Sequence, residues 1–596
     1  MSKILDFLSK LDVSYENGVT EREQIRLHIE NMRSQFEELA DRPDIIDTIS
    51  EGFPPLLQIE KKEITYQGKT YYYDQQRKIH NRYYRFMPKY IAMCFTTQHV
   101  QSIVKMIPFF DGPIRVCSGR HDHEGECMGT DALVIDLSGM NSVQVFNLEK
   151  EQDNNYAIID PGIRFIDLIT QLNQNGVGIP HGTCHSVRVA GFSFGGGWGP
   201  WTRAKGMGCE SLAGVTIVLG DGMVKELWDE KLLPKKANGE PVASMTDDDR
   251  KLLWALRGGG GMSYGIVTSL VYKTFQLPPY TTKFTVSWKN GKALEILEKW
   301  EEIISGDNPD LLGTNLKIMA KSGDDQSTGQ GCYFYGYYQS SDVDQNAIRK
   351  VIGQWFHSDF TPDDVTFQDG LSADPGENGL NSNSFWGGLS AWDRVIDWKD
   401  NSNSPLQYSG LKSYEFIPPE VDDPAPRKIT SKLVKAGHEG GGLGKAGREI
   451  LIQSLQSDLL EQKGFDAGLA CYITLGAISG SFYTEYNSEI NKKKRGEYDG
   501  SAFPYKSSPY TIQYQVWWNQ NGVNKQADQY VNKALDWLEW CRDLDFPQTY
   551  GAFISFKDAS IPTAVYFQES YAKLKDIKKN YANDPLNRLS TRKTII

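Results

Sequence analysis

Hydrophobic and polar residues recur with two different periods along this 596-residue chain, and each period predicts an element. Residues 21–40 follow the capping-box pattern of Thr20 and Glu23 and carry one apolar stripe, which predicts an amphipathic helix. The stripe consists of Ile25, Ile29, Met32, Phe36 and Leu39. Residues 61–74 place β-favouring side chains on both sides of a Gln-Gly turn and predict a hairpin. We therefore expect residues 1–80 to form an N-terminal extension of a helix and a hairpin that packs onto the rest of the protein.

Helical and strand-like periods alternate over residues 81–281. A strand followed by a helix is predicted at 81–107, and a hairpin around a Gly-Asp-Gly turn at 214–228. Between them, residues 160–184 contain a predicted helix whose apolar face consists of Phe165, Leu168, Ile169 and Leu172. This mixture indicates an α+β fold, with 81–281 as one domain.

The composition changes after about residue 282. Strand-like runs such as GCYFYGYYQ and YTIQYQVWW are separated there by glycine-rich polar stretches. We expect a second domain over residues 282–520 and a C-terminal segment over 521–596.

The charge and the cysteines narrow the range of partners and compartments. With 64 basic and 76 acidic side chains the net charge is -12, which argues against nucleic acid or a membrane surface as a partner. The first residues contain no apolar run typical of a signal peptide, and the eight cysteines include no CxxC pair. We therefore expect a cytoplasmic protein. A metal site at His121, His123 and Cys127 would lack a nearby fourth ligand, so we expect none.

Three glycine-rich segments carry the candidate chemistry. They are SGRHDHEG at 118–125, GTCHSVRVAGFSFGGGWG at 182–199 and RGGGGMSYGIV at 257–267. Glycine lets a backbone approach a ligand closely, and successive amides in such turns form anion-binding concavities. Either of the first two segments alone is equally typical of a surface loop with a stray His121 or Cys184.

The order of the three segments resembles the flavoproteins with a PCMH-type FAD domain, specifically the berberine bridge enzyme-like branch with its hexose and oligosaccharide oxidases. The resemblance implies an α+β fold with a two-part FAD domain, a substrate domain whose seven-stranded antiparallel sheet is backed by helices, and a C-terminal segment that returns to the FAD domain. It also implies two covalent bonds to FAD, from His121 to the 8α-methyl group and from Cys184 to carbon 6. The further positions that the resemblance assigns to FAD are Ser118, Gly119, Arg120, Asp122, Gly182, Val187, Gly191, Ser193, Gly195, Gly196, Gly199, Gly265 and Val267.

The chain departs from that family where the substrate is expected. Phe553 and Phe556 stand at the positions of two tyrosines, one of which is the usual base, and phenylalanine cannot accept a proton. The Gln-x-Asp pair that supports sugar oxidation is replaced at 474–476 by Thr, Leu and Gly. Gln513 matches a glutamine of the substrate site, and Trp198 stands where Phe or Tyr is common. The resemblance therefore implies the same cofactor and a different substrate.

His123 is the first candidate for the missing base. It stands where the family has Tyr, and its ordinary pKa of about 6.5 suits proton transfer at neutral pH. The alternative is a structural histidine that bonds to the flavin or the backbone. Tyr514 and Tyr550 are weaker candidates, because a phenol has a pKa of about 10 and strand alternation can point Tyr514 away from Gln513.

These features predict an FAD-dependent oxidase of a bulky hydroxylated or amine-bearing small molecule, and secondary metabolism is one context for such a substrate. In the family, Val at the position of Val187 leaves room beside the flavin for dioxygen, which implies hydrogen peroxide as a product; the alternative is a valine that only packs. Two other functions stay open: a carbohydrate oxidase that forms a lactone, and a catalytically idle flavin-binding protein, which the lost tyrosines suggest.

Overall fold

A computed structural model describes the greater part of the chain. The described residues are 52–146, 155–184, 186–278, 280–327, 329–340, 345–356, 361–369, 425–437, 442–466, 469–518 and 525–596. The helix predicted at 21–40 lies outside these residues.

A four-stranded sheet forms the first half of the N-terminal domain. Its strands, in spatial order, are Leu56–Leu57, Tyr90–Met93, Leu133–Asp136 and Ile114–Cys117, and the last three are parallel. The helix Thr97–Met106 covers one face of this sheet. The predicted hairpin is confirmed as Glu63–Tyr66 paired with Lys69–Tyr72, and it covers the other face through Ile64 and Tyr71.

A five-stranded antiparallel sheet forms the second half of this domain. Its order is Val224–Trp228, Leu212–Val218, Ile266–Lys273, Tyr156–Ile159 and Val143–Phe146. The predicted hairpin at 214–228 supplies the first two strands and is confirmed. The predicted helix is also confirmed, as Phe165–Gln174, and its apolar face is buried in one core with the helix Asp247–Leu256.

The second domain contains a large antiparallel sheet. Its order is Asp364–Asp369, Tyr280–Gly291, Gln330–Ser340, Leu311–Met319, Leu469–Ala477, Tyr510–Trp518, Arg427–Val434 and Thr549–Tyr550. Seven of these strands match the expected seven, and the two-residue strand Thr549–Tyr550 makes an eighth at one edge. The helices behind the sheet are Ala293–Ser305, Gln345–Trp355, Gly444–Ser454 and Lys525–Asp543.

Alternation along the strands gives this sheet two different faces. Phe334 and Tyr514 are buried against the helices, whereas their neighbours in sequence point the other way. We call that opposite side the polar face. Its side chains include Lys283, Lys317, Tyr333, Tyr335, Tyr337, Arg427, Tyr472, Thr474, Gln513, Gln515 and Trp517. The polar face is turned towards the N-terminal domain, because Tyr337 belongs to that domain's core.

The C-terminal segment contacts the N-terminal domain. The helix Tyr571–Tyr581 buries Leu574 and Ile577 in the core that contains Asp247–Leu256. Arg588 donates a hydrogen bond of 3.0 Å to the carbonyl oxygen of Gly112.

The shorter helices are Tyr73–Gln76, Ile107–Phe109, Val189–Phe194, Thr202–Lys205, Gly208–Ser211, Gln462–Asp466, Ser481–Tyr486, Glu489–Lys494, Ile554–Phe556, Thr563–Phe567 and Gln568–Ser570. Two small sheets pair Val177–Gly178 with Phe275–Gln276 and Lys321–Ser322 with Gln456–Ser457.

Candidate functional site

The first glycine-rich segment forms a turn directly after the strand Ile114–Cys117. Arg120 has a φ of 61°, in the left-handed region. The guanidinium of Arg120 pairs with Asp136, which is fully buried at the end of the neighbouring strand. The backbone carbonyl oxygen of Arg120 accepts a hydrogen bond of 2.8 Å from the amide of His80. These contacts fix the turn that carries His121.

The His121 turn meets the Cys184 loop. Nε2 of His121 lies 2.9 Å from Oγ of Ser186, two residues beyond Cys184, and the imidazole stacks on that of His80 with ring centroids 4.0 Å apart. The amide of Val187 donates to the carbonyl oxygen of Cys184 over 3.3 Å. The fold therefore brings the two predicted linking segments together.

Cys184 faces the polar face of the large sheet. Burial raises the pKa of Tyr337 and Tyr472, and the nearby Cys184 contributes to both shifts. The thiol itself is half-buried. A ring attached at Cys184 would thus lie between the N-terminal domain and these tyrosines.

Close backbone approaches explain several glycines of the motifs. A Cβ atom on Gly199 would lie 1.7 Å from the carbonyl oxygen of His181, and one on Gly265, whose φ is +140°, would lie 2.5 Å from that of Val218. A Cβ atom on Gly119 would crowd Arg188 at 3.1 Å. No side chain fits at Gly199 or Gly265 without a shift of the backbone, whereas at Gly119 the neighbouring Arg188 would have to give by a few tenths of an ångström.

Other predicted cofactor residues are engaged with protein atoms. Ser193 bonds through Oγ to the carbonyl oxygen of Val189 at 2.6 Å and to the hydroxyl of Tyr272. Val267 is buried on the strand Ile266–Lys273. Asp122 accepts hydrogen bonds from the amides of Glu124 and Glu126 and from Lys557. Burial alone would raise the pKa of Asp122, but Lys557 and these hydrogen bonds hold it below its ordinary value. Their roles towards FAD, like those of Ser118, Gly182, Gly191, Gly195 and Gly196, stay predictions.

The residues present fit an anionic dinucleotide. Nε of Arg188 and the hydroxyl of Tyr264 are buried and have no hydrogen-bond partner among the described residues. Burial and the neighbouring Arg120 lower the pKa of Arg188 to about 10. A phosphate beside the two guanidinium groups would relieve their mutual repulsion, and polar groups of a cofactor could satisfy the orphaned atoms.

His123 is held by the second domain. Nε of Arg427 donates to Nδ1 of His123 over 3.0 Å, and Asn81 donates to the carbonyl oxygen of His123 over 2.6 Å. Burial and the charge of Arg427 lower the pKa of His123 to about 3. This arrangement weighs against a base role and favours the alternative of a structural histidine, and the base role stays a prediction.

The two candidate tyrosines differ in position. Tyr514 is completely buried behind the sheet and its hydroxyl lies 2.8 Å from Oγ of Ser454, so it points away from Cys184 as alternation suggested. Tyr550 lies at the sheet edge with its hydroxyl 2.9 Å from Oγ of Ser508, in an aromatic cluster with Phe553 and Phe556.

Gln513 begins a row of hydrogen-bonded side chains on the polar face. Nε2 of Gln515 donates to Oε1 of Gln513 at 3.1 Å and to Oγ1 of Thr474 at 3.3 Å, and the Trp517 indole donates to Oε1 of Gln515 at 2.9 Å. Beside this row, Trp198 donates to the carbonyl oxygen of Ala477 at 2.7 Å. The substrate-site positions singled out from the sequence, except Tyr514, thus lie on the side of the sheet that faces the N-terminal domain.

The sequence analysis missed the cationic and tyrosine-rich part of the polar face. Lys317 lies with its ammonium 3.9 Å from the ring centroid of Tyr472, and Lys283 lies 5.9 Å from that of Tyr335. Arg427 was missed too, and it stacks on Trp517 at 4.6 Å. The alternating tyrosines of residues 333–337 were a usable signal, but only strand pairing brings the lysines beside them.

The described residues contain neither a metal-binding cluster nor a membrane-spanning helix. No group of three or more His, Cys, Asp or Glu side chains there is arranged to hold a metal ion. No helix in the same part of the chain is long and apolar enough to cross a bilayer.

Known proteins resemble this chain in sequence. Residues 88–227 match a family model described as an FAD binding domain. The carbohydrate oxidase of Microdochium nivale is 25% identical over 522 residues, which cover 84% of this chain and 86% of that protein. The berberine bridge enzyme-like protein Cyn d 4 of Cynodon dactylon is 30% identical over 259 residues, 42% of this chain and 43% of its own. The chain thus spans less than half the length of some curated relatives that it matches, including 43% of the FAD-linked oxidoreductase YgaK of Bacillus subtilis.

Solved structures share the fold over most of the chain. BBE-like 1 of Physcomitrella patens has a TM-score of 0.61 at 20% identity and covers 88% of this chain and 95% of its own. The glucooligosaccharide oxidase of Acremonium strictum, described with a 6-S-cysteinyl, 8α-N1-histidyl FAD, has a TM-score of 0.59 at 18% identity and covers 88% and 94%. These likenesses confirm the expected α+β, PCMH-type architecture. Together with the match over residues 88–227, they show that the chain contains an FAD binding domain and is similar in sequence and fold to berberine bridge enzyme-like proteins and oligosaccharide oxidases.

Proposed function

We propose that this protein is an oxidase of a bulky hydroxylated or amine-bearing small molecule, which binds between the His121–Cys184 segments and the polar face. FAD held by the His121 and Cys184 segments would supply a hydride acceptor for a substrate carbon. Overall, two electrons and two protons leave the substrate, a carbonyl or an imine forms, and dioxygen becomes hydrogen peroxide. The single observation that carries this proposal is that Tyr337 of the polar face packs in the same core as Val187, three residues after Cys184, so that this face is turned towards the cofactor segments.

His121 and Cys184 are the proposed points of covalent attachment. Their loops meet through the contact of His121 with Ser186, and each side chain matches a linking position of the family. The 6-S-cysteinyl, 8α-N1-histidyl FAD of the Acremonium strictum glucooligosaccharide oxidase supports the assignment by analogy.

The protein's own groups would bind and orient the substrate. Gln513 and Thr474 offer amide and hydroxyl groups, and the tyrosines of the polar face offer stacking surfaces. Phe553, at the position of the usual base, is buried in an aromatic cluster, and its ring cannot accept a proton. The proton acceptor is therefore a group of the polar face or the substrate itself.

Oxidation of a carbohydrate is the second candidate function. The alignment with the carbohydrate oxidase of Microdochium nivale over 84% of this chain favours it. The residues at 474–476 and Phe553 disfavour it, because they remove the acid and the phenol that support sugar oxidation in the resembling enzymes.

Anaerobic reduction of the flavin tests the proposed function. The purified holoenzyme is mixed with a panel of alcohols, amines, monosaccharides and oligosaccharides, and bleaching of the oxidised flavin absorbance is followed before air is admitted. We expect bleaching with a bulky alcohol or amine and hydrogen peroxide on reoxidation. Bleaching by neutral sugars alone would select the carbohydrate oxidase. A flavin that every compound leaves oxidised, although dithionite reduces it, would support the idle flavin-binding protein.

A further inference from the structure

Among the residues that the structure describes, two lysines of the polar face have no anionic partner. Lys283, on the strand Tyr280–Gly291, is 5% exposed, and Lys317, on Leu311–Met319, is half-buried. Neither ammonium has a carboxylate or carbonyl partner among the described residues, and the contacts that the structure gives them are with aromatic rings. Each side chain is a buried or half-buried cation beside aromatic rings.

Three other buried or half-buried lysines among the described residues are paired with oxygen atoms. Lys557 contacts Asp122 and Glu126, and Lys578 contacts Asp584. Lys593 donates to the carbonyl oxygens of Ala559 and Ile561. The fold thus supplies anionic or carbonyl partners to cations that serve its own stability.

An unpaired buried ammonium is costly. Burial lowers the pKa of both Lys283 and Lys317 to about 8, so each is still largely protonated at pH 7. A bound anion would restore the solvation that each cation has lost and would be held by a charge-assisted hydrogen bond. A neutral ligand would not restore the solvation that the two ammonium groups have lost.

The lysines lie in the part of the polar face assigned to the substrate. Lys317 is paired in register with Thr474, which contacts the Gln513 row. Lys283 is paired with Tyr337, the tyrosine that lies near Cys184. Both cations are therefore within one or two strands of groups that would border the flavin.

We propose that Lys283 and Lys317 form an anion-recognition site and that the substrate is acidic, carrying carboxylate, sulfate or phosphate oxygens beside a ring or chain that stacks on the tyrosines. This inference rests on the proposed function in one respect, because it takes the polar face as the substrate site. The overall charge of -12 gives no general attraction for such a ligand, so recognition must be local.

Isothermal titration calorimetry of the oxidised holoenzyme at pH 7 tests the site without turnover. The probes are matched pairs: glucuronate, glucose 6-sulfate and glucose 6-phosphate against glucose, and 4-hydroxycinnamate against 4-hydroxycinnamyl alcohol. We expect at least one acidic probe to bind at least about tenfold more tightly than its neutral match, as one charge-assisted hydrogen bond can provide. The acid that binds best distinguishes carboxylate from sulfate and phosphate.

Variants assign the binding to the two lysines. Lys283→Met and Lys317→Met should each lower the preference for the acidic probe towards unity, whereas Lys283→Arg and Lys317→Arg should keep most of it. Lys289→Met removes an exposed lysine from the same strand and serves as the matched control. An unchanged flavin spectrum in each variant shows that it has folded.

Equal or undetectable binding of acidic and neutral probes by the unaltered protein, or an acid preference that survives both Met variants, would overturn the inference. Failure of the proposed function is a separate result. A protein that binds acids through these lysines but oxidises none of them keeps the anion site and loses the oxidase. A protein that oxidises a neutral alcohol but shows no preference for acids keeps the proposed function and loses the anion site.

Discussion

Arg427 donates a hydrogen bond from Nε to Nδ1 of His123 over 3.0 Å, and this contact defines the protonation state of the histidine. A nitrogen that accepts a hydrogen bond carries no proton, so the neutral imidazole bears its proton on Nε2. Burial and the positive charge of Arg427 together lower the pKa of His123 to about 3. The imidazole is therefore a hydrogen-bond donor through Nε2 at neutral pH and a poor proton acceptor.

The pH dependence of flavin reduction tests this role. With the substrate found in the anaerobic panel, the reduction rate should show no ionisation of His123 between pH 5 and pH 8, because the imidazole is neutral from about pH 3 upward. His123→Gln should therefore change the rate by less than about tenfold. A loss of roughly two to four orders of magnitude, together with disappearance of an inflection near pH 6.5, would establish His123 as the base.

Single replacements at the two linking residues should leave the flavin attached by one bond. We expect His121→Ala and Cys184→Ala to stay yellow after acid precipitation, and the double variant to release its FAD, because the loops meet at Ser186 and each side chain matches a linking position. Absorbance of the precipitate and the supernatant measures the split. Cys127→Ser, at the other partly exposed cysteine, is the control and should keep both bonds.

Val187→Leu should slow the reoxidation of reduced flavin by dioxygen about tenfold or more, because a packed interior has few voids to spare for an added methylene. The backbone of Val187 is fixed by the amide of Phe165, which donates to its carbonyl oxygen at 2.9 Å, so the added bulk cannot easily turn away. Stopped-flow mixing of the reduced enzyme with oxygenated buffer measures the rate. Val187→Ala, which removes bulk, should not slow it. Equal effects of Leu on reduction and reoxidation would instead indicate that Val187 only packs.

His181 should make the protein sensitive to acid. It is buried, with Nδ1 2.8 Å from the carbonyl oxygen of Gly182 and Nε2 accepting the Trp201 indole at 3.0 Å, and burial lowers its pKa to about 4. The unfolded chain, with a histidine pKa of about 6.5, binds more protons between these values, so this contribution is complete above pH 6.5 and is lost as the pH falls towards 4. It amounts to at most about 3 kcal/mol of the free energy of unfolding.

Thermal unfolding between pH 7 and pH 4.5 measures that contribution. His181→Gln can still offer an oxygen to the Trp201 indole but does not titrate. Its melting temperature should therefore fall less steeply with acid than that of the unaltered protein. Parallel pH profiles for the two proteins would assign the acid sensitivity to other groups.

Local signals in the sequence predicted glycine turns and several elements of the N-terminal domain, and the roles of the cofactor residues towards FAD stay predictions. The glycines at 119, 199 and 265 are required by contacts with backbone or with a neighbouring side chain, and such requirements appear directly in the sequence. The two hairpins and the helix Phe165–Gln174 also follow from short-range periodicity.

The substrate half depends on strand pairing over long distances. His123 and Arg427 are 304 residues apart, and no local pattern announces their hydrogen bond. Lys317 acquires its place beside Thr474 only through the register of two strands that are far apart in the chain. The eighth strand, Thr549–Tyr550, is too short to produce a periodic signal.

Peptide mapping of the unaltered protein tests the central claim most directly. The denatured protein is digested with a protease, and the yellow fragments are isolated and identified by mass spectrometry. We predict one FAD joined to two peptides, one containing His121 and the other containing Cys184. Recovery of all flavin as free FAD, or its attachment to neither residue, would contradict the account.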